Sequence, residues 1–155
     1  MEISALNTAE RYHDISCGHR VYGHESKCAH LHGHNYRVHF TCAIPELDEV
    51  GRVLDFSAMK ERLCMWLEDN WDHKFLVWQE DPWAQELLAM DDTVVLLPFN
   101  PTAENMATAL LTVIGPKQLE GTKVTLIKVT VEETRKCSAS AVRRPNVRNE
   151  PVKEG

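Results

Sequence analysis

Between Asn35 and Ile44 the chain reads NYRVHFTCAI, an alternation that puts Tyr36, Val38, Phe40, Cys42 and Ile44 on one side and Arg37, His39 and Thr41 on the other. Successive side chains of an extended backbone point to opposite faces, so a period of two specifies a half-buried strand. It commits the fold to a sheet with one covered face. Extended backwards, the same parity carries His34 and His32 onto the apolar side, while His39 points away. His30 shares that parity, but Leu31 and Gly33 mark a stretch where the chain is only becoming regular.

The cover for that face is legible further on. In RVLDFSAMKERLCMWLEDN, Met59, Leu63, Trp66 and Leu67 recur at helical spacing, which predicts an amphipathic helix with Asp55 or Ser57 as its N-cap. TVVLLPF reads as a short buried strand. NPTAENMATALLTVIGP reads as a second helix, with Met106, Leu110, Val113 and Ile114 inward and Gly115-Pro116 ending it. KVTLIKVTVEET is a long strand, and a first strand is expected to end at His19. This order predicts an α+β domain whose antiparallel sheet carries two helices on one face. At 155 residues and 43% hydrophobic content the chain supports one core, placed at residues 1–142, followed by a polar, mobile tail at 143–155.

A formal net charge of -6 argues against sequence-independent binding to nucleic acid. No run of about 18 apolar residues and no secretory leader is visible, so no membrane span is expected. Five irregularly spaced cysteines do not form the framework of a secreted mini-domain; a cytoplasmic protein with reduced thiols is expected.

The sequence KCAHLHGHNYRV concentrates one thiol and three imidazoles. An H-x-H pair alone is most simply two ordinary histidines. Here His32 and His34 belong to an apolar face that should not hold unpaired imidazoles, Gly33 allows close approach, and His19 lies just upstream. Three nitrogen ligands, each at roughly 2.0 to 2.1 Å from the ion, with an open fourth position describe a catalytic zinc site. Cys28 is then either a fourth ligand that closes the site or a free thiol beside the cation, serving as a base. H-x-H pairs also occur in all-β jelly rolls, which the two helices argue against.

ISCGHRV, CAHLHGHNY, VLDFSAMK, WDHKFLV, PTAEN and KVTVEET occur here in the order found in the 6-pyruvoyltetrahydropterin and 6-carboxytetrahydropterin synthase family, which the chain resembles from about Glu10 to Ala141. The resemblance implies the T-fold, a ββααββ unit whose sheets join around an axis as trimers paired into hexamers, with active sites between subunits. It implies His19, His32 and His34 as zinc ligands, Cys28 as the catalytic proton acceptor, and Asp72 and His73 as the rest of a proton relay. A glutamate of the VEE stretch is implied to grip the pterin ring. Strand parity puts Glu133 on the face of Ile127, Val129 and Val131, and Glu132 beside Lys128 on the other, so Glu133 is the candidate. Thr102 and Glu104 of PTAEN are candidates for the same pocket, with helix capping the equal alternative for Thr102. The segment between His73 and Pro101 is longer than in compact members and is expected at the pocket rim.

By resemblance the substrate is 7,8-dihydroneopterin triphosphate. One family branch eliminates triphosphate to give 6-pyruvoyltetrahydropterin; the other loses triphosphate and acetaldehyde to give 6-carboxytetrahydropterin, on the way to queuosine and other 7-deazaguanines. Cys28 stands four residues before His32, the spacing of the carboxy branch. The rival from another class is a non-catalytic zinc-binding module, which would need none of Cys28, Asp72, His73 and Glu133.

Overall fold

The computed structural model describes residues 5–144; the expected tail lies outside the described residues from residue 145 onward. Strand β1 (Asn7–His19) and strand β2 (His32–Ile44) pair antiparallel along their whole length, from Asn7 opposite Ile44 to His19 opposite His32. Strands β3 (Phe75–Trp78), β4 (Val95–Leu97), β5 (Thr125–Glu132) and β6 (Ser138–Val142) complete a sheet of order β4-β3-β1-β2-β5-β6. β2, β5 and β6 continue the antiparallel pattern, with Arg143 prolonging it through its N–H to the Ile127 carbonyl at 2.8 Å. The segment between His73 and Pro101 adds what the sequence did not announce: β3 runs parallel to β1, β4 runs parallel to β3, and a short helix α2 (Ala84–Met90) joins them. The α+β T-fold stands, and its sheet is mixed rather than purely antiparallel.

Two long helical runs cover one face. Run α1 comprises Phe56–Met59, a π-helical turn at Lys60–Cys64, and Met65–Asn70; Asp55 caps it by accepting from the Ser57 N–H at 2.8 Å. Run α3 comprises Ala103–Ala109, a π-helical turn at Leu110–Ile114, and Gly115–Gln118. Met59, Leu63 and Leu67 of α1 and Met106, Leu110 and Leu111 of α3 are buried against Ile15, Cys17, Tyr36, Val38, Phe40 and Val129 of the sheet.

Three local expectations are corrected. A π turn holds more residues than an α turn and rotates the buried stripe. Val113 is therefore 66% exposed while Leu111 is buried, and the helix passes through Gly115-Pro116 to Gln118. In β5 a bulge sets Leu126 opposite Cys42 but Lys128 opposite Thr41, which turns Leu126 rather than Ile127 into the core. Glu133 lies beyond that bulge, so its parity with Val129 and Val131 is unaffected.

A Cβ at Gly115 would stand 2.2 Å from Leu126 Cδ2 and 2.7 Å from the Leu110 carbonyl oxygen. Alanine normally favours a helix over glycine by roughly 1 kcal/mol, but the carbonyl is backbone and cannot move aside. Gly115→Ala should lower stability by about 1 to 3 kcal/mol, read from denaturant unfolding; equal or higher stability would show that the π turn relaxes.

Candidate metal centre

The triad sits where the β1–β2 ladder ends. His19 and His32 are partners on its last rung and His34 pairs with Cys17, so all three side chains emerge on the face toward the helices. One ring nitrogen from each lies within 4.8 Å of the others, and no other described His, Cys, Asp or Glu joins the group. His19 Nε2 is 3.0 Å from His32 Nε2, against roughly 3.3 Å for two nitrogens sharing a tetrahedral ion at the usual bond length.

Two backbone carbonyls orient the rings. His19 Nδ1–H donates to the Pro101 carbonyl and His32 Nδ1–H to the His30 carbonyl, each at 2.7 Å. Both Nε2 lone pairs then face each other, the orientation that outer partners give to metal-bound imidazoles. Burial pushes the His19 imidazole down to about 4; the Pro101 carbonyl opposes this and the neighbouring histidines reinforce it. Burial also lowers His34, against the pull of Glu133. The neutral form that binds a cation is thus favoured at pH 7. His34 Nε2 is buried without a hydrogen-bond partner. A metal ion would satisfy it, so the residues present fit one.

Glu133 follows β5, with its backbone N–H on the Cys137 carbonyl at 3.0 Å. Its carboxylate Oε1 stands 3.5 Å from both His19 Nε2 and His34 Nε2, at the rim of the triad. Glu132 points the other way, 3.1 Å from His39 Nε2. Tyr36, 1% exposed, places its hydroxyl 3.2 Å from His19 Nδ1.

Cys28 lies in a 3₁₀ turn (Lys27–Ala29) of the loop between β1 and β2, its carbonyl accepting from the Val21 N–H at 2.8 Å. It is half-buried and its sulfur stands outside the nitrogen group. Burial pushes Cys17 and Cys42 up to about 12, which leaves both as unreactive thiols.

Asp72 and His73 stay on the edge of β1. Asp72 Oδ1 accepts from the Ser16 N–H at 2.8 Å, Oδ2 meets His73 Nδ1 at 2.8 Å, and His73 N–H donates to the Ser16 carbonyl at 2.7 Å. This two-sided grip on Ser16 holds His73 at φ 57. Burial raises the Asp72 carboxyl, but the Ser16 N–H and His73 outweigh it and hold it below the ordinary carboxylate value. The His73 side chain is 82% exposed, and no hydrogen bond among the described residues links the pair to the triad. Thr102 is occupied as the N-cap of α3, accepting from the Asn105 N–H at 3.1 Å, and Glu104 is exposed in its first turn. From PTAEN it is instead the Pro101 carbonyl that reaches the triad, a backbone group invisible to side-chain reasoning; NPT marked the place without the atom.

The family description 6-pyruvoyl tetrahydropterin synthase matches residues 8–144. The chain is 36% identical over 126 residues to 6-carboxy-5,6,7,8-tetrahydropterin synthase of Rickettsia bellii, covering 80% of this chain and 91% of that one. A crystal structure of an uncharacterized protein from Wolinella succinogenes superposes with a TM-score of 0.80 at 22% identity, covering 91% of this chain and all of that one. Caenorhabditis elegans 6-pyruvoyl tetrahydropterin synthase gives 0.64 at 24% identity, covering 93% and 100%.

One metal ion per chain is expected in elemental analysis. Cys28→Ala should retain it and His34→Ala should lose it; equal depletion in both would make the thiol a ligand.

Proposed function

The chain belongs to the 6-pyruvoyl tetrahydropterin synthase family, and on that premise we propose that it is a zinc-dependent 6-carboxy-5,6,7,8-tetrahydropterin synthase. In this reading it is a cytoplasmic lyase that converts 7,8-dihydroneopterin triphosphate into 6-carboxytetrahydropterin, acetaldehyde and triphosphate for queuosine or another 7-deazaguanine. It works as a homo-oligomer, a hexamer of paired trimers. Among the described residues no helix is long and apolar enough to cross a membrane.

The observation behind the reading is the buried triad, whose orphaned His34 Nε2 and carbonyl-fixed neighbours converge beside Glu133. The carboxy branch is supported by the relatives of that name and by the four-residue step from Cys28 to His32. Zinc held by His19, His32 and His34 would supply Lewis-acid stabilisation of negative charge on the substrate side chain.

The remaining roles fall to the chain itself. Glu133 accepts two N–H groups from the pterin ring, a charge-assisted contact that fixes the ring relative to the triad. Cys28 takes a proton from the substrate side-chain carbon. Asp72 holds the Nδ1–H of His73, leaving the outward Nε2 to exchange a second proton at a site shared between subunits. Thr102, which caps α3, and Glu104, exposed in its first turn, are the further candidates for contact with the substrate.

Two measurements test this reading. Glu133→Gln should weaken substrate binding by about 2 to 5 kcal/mol, while Glu132→Gln, on the opposite face, should bind nearly as wild type. Equal losses would reject the assignment. Incubated with 7,8-dihydroneopterin triphosphate, the zinc-loaded protein should release acetaldehyde with triphosphate, and Cys28→Ala should lose turnover by about 10² to 10⁴. 6-Pyruvoyltetrahydropterin without acetaldehyde would move the chain to the other branch, and inactivity would favour the non-catalytic module.

A further inference from the structure

Cys28 belongs to the connection from residue 20 to residue 31, which contains no strand, only a turn closed by the His24 N–H on the Val21 carbonyl and the 3₁₀ turn Lys27–Ala29. A base carried on such a loop has to be held in place. Misplacing a reacting group by 1 Å can cost on the order of 10² in rate. The ties that hold the stem of this loop come from the segment between His73 and Pro101.

The first tie is an ion pair. Arg20, the residue after His19, is 7% exposed, and its Nε lies 2.9 Å from Oδ2 of Asp81, whose side chain is fully buried. The guanidinium stacks 3.4 Å over the Trp83 ring, and the Tyr22 ring lies on its flank at 5.6 Å. Asp81 is fixed in turn, with Oδ1 accepting from the Trp83 N–H and its own N–H donating to the Trp78 carbonyl, both at 2.9 Å. Two opposite charges this deep hold each other, because neither tolerates burial alone. The second tie is Asn100. Its Nδ2 donates to the Tyr22 carbonyl at 2.8 Å, its Oδ1 accepts from the Tyr22 N–H at 3.2 Å, and Asn105 Nδ2 anchors its carbonyl at 3.0 Å. Between the tied residues, the Val21 N–H donates to the carbonyl of Cys28 itself.

We propose that the segment between His73 and Pro101 is a brace for the cysteine loop, in which Asp81 and Asn100 are positioning residues that set where the Cys28 thiol stands relative to the metal centre. The functional part of this proposal rests on the role given above to Cys28. The brace acts on residues 20–22, whereas the contact from this region to the triad itself, the Pro101 carbonyl on His19, is a separate backbone bond. Loosening the brace therefore shifts the thiol and spares the metal.

The test uses the zinc-loaded full chain with Asn100→Ala and Asp81→Asn. It measures kcat and KM on 7,8-dihydroneopterin triphosphate, zinc per chain, and the rate at which iodoacetamide alkylates Cys28, read by peptide mass spectrometry. Asn100→Ala should lower kcat about 10- to 100-fold with KM within about threefold. Zinc should be retained, and the Cys28 alkylation rate should change at least about threefold. Asp81→Asn should do the same or more; should it fail to fold, Asn100→Ala decides alone. Unchanged kcat and alkylation in Asn100→Ala overturns the brace, as does a loss that follows departure of zinc or a rise in KM. A wild-type protein that does not turn over the substrate sinks the proposed function instead, and the alkylation rates still decide whether the loop is braced.

Discussion

The register of β1 against β2 is the constraint on which both the core and the site depend. The rung that sets Ile15 opposite Tyr36 beneath the helices belongs to the same ladder that sets His19 opposite His32 at its end. A slip by one residue would turn every side chain of one strand to the other face. It would bring Ile15 and Cys17 out of the core and part His19 from the H-x-H pair in the same movement. The apolar pattern that drives folding is thus also what brings the nitrogens together, while the Pro101 and His30 carbonyls turn the rings.

Burial sets the electrostatics of that arrangement. An imidazole as enclosed as His19 cannot carry a proton without losing hydration, so the ring stays neutral and keeps a lone pair for a cation. The same loss of hydration keeps Cys17 and Cys42 protonated and inert, although Cys17 is the rung partner of His34. Cys28 stands instead on a loop at the boundary, half-buried rather than within the sheet.

How far the sequence could be read follows from where each signal was local. The alternation from Tyr36 to Cys42, the helical spacing of Met59, Leu63 and Leu67, and the parity that separates Glu133 from Glu132 are properties of short segments, and each is realised. Val113 and Ile127 were misplaced because a π turn and a bulge each add one residue to a regular period, a shift that no propensity announces. The parallel pairing of β3 with β1, the carbonyls of Pro101 and His30, and the Arg20–Asp81 pair depend on backbone groups or on residues distant in sequence. Those became visible only when the chain was seen folded.

β3 meets β1 only at Gly18 and His19, and Ser16 is taken by Asp72 and His73. From Asn7 to Ile15 the outer side of β1 has no neighbouring strand among the described residues, and β6 closes the other end of the sheet equally bare. A row of unpaired amides and carbonyls is a template for another strand, and a sheet that keeps such rows is a hazard while the chain stands alone. A partner that covers those rows only in the native state favours that state by mass action, so resistance to unfolding grows with protein concentration. Were the partner a second copy of the chain, the protein would be safest when plentiful, and dilution, the usual remedy for aggregation, would strip the strands of the contacts that make them harmless.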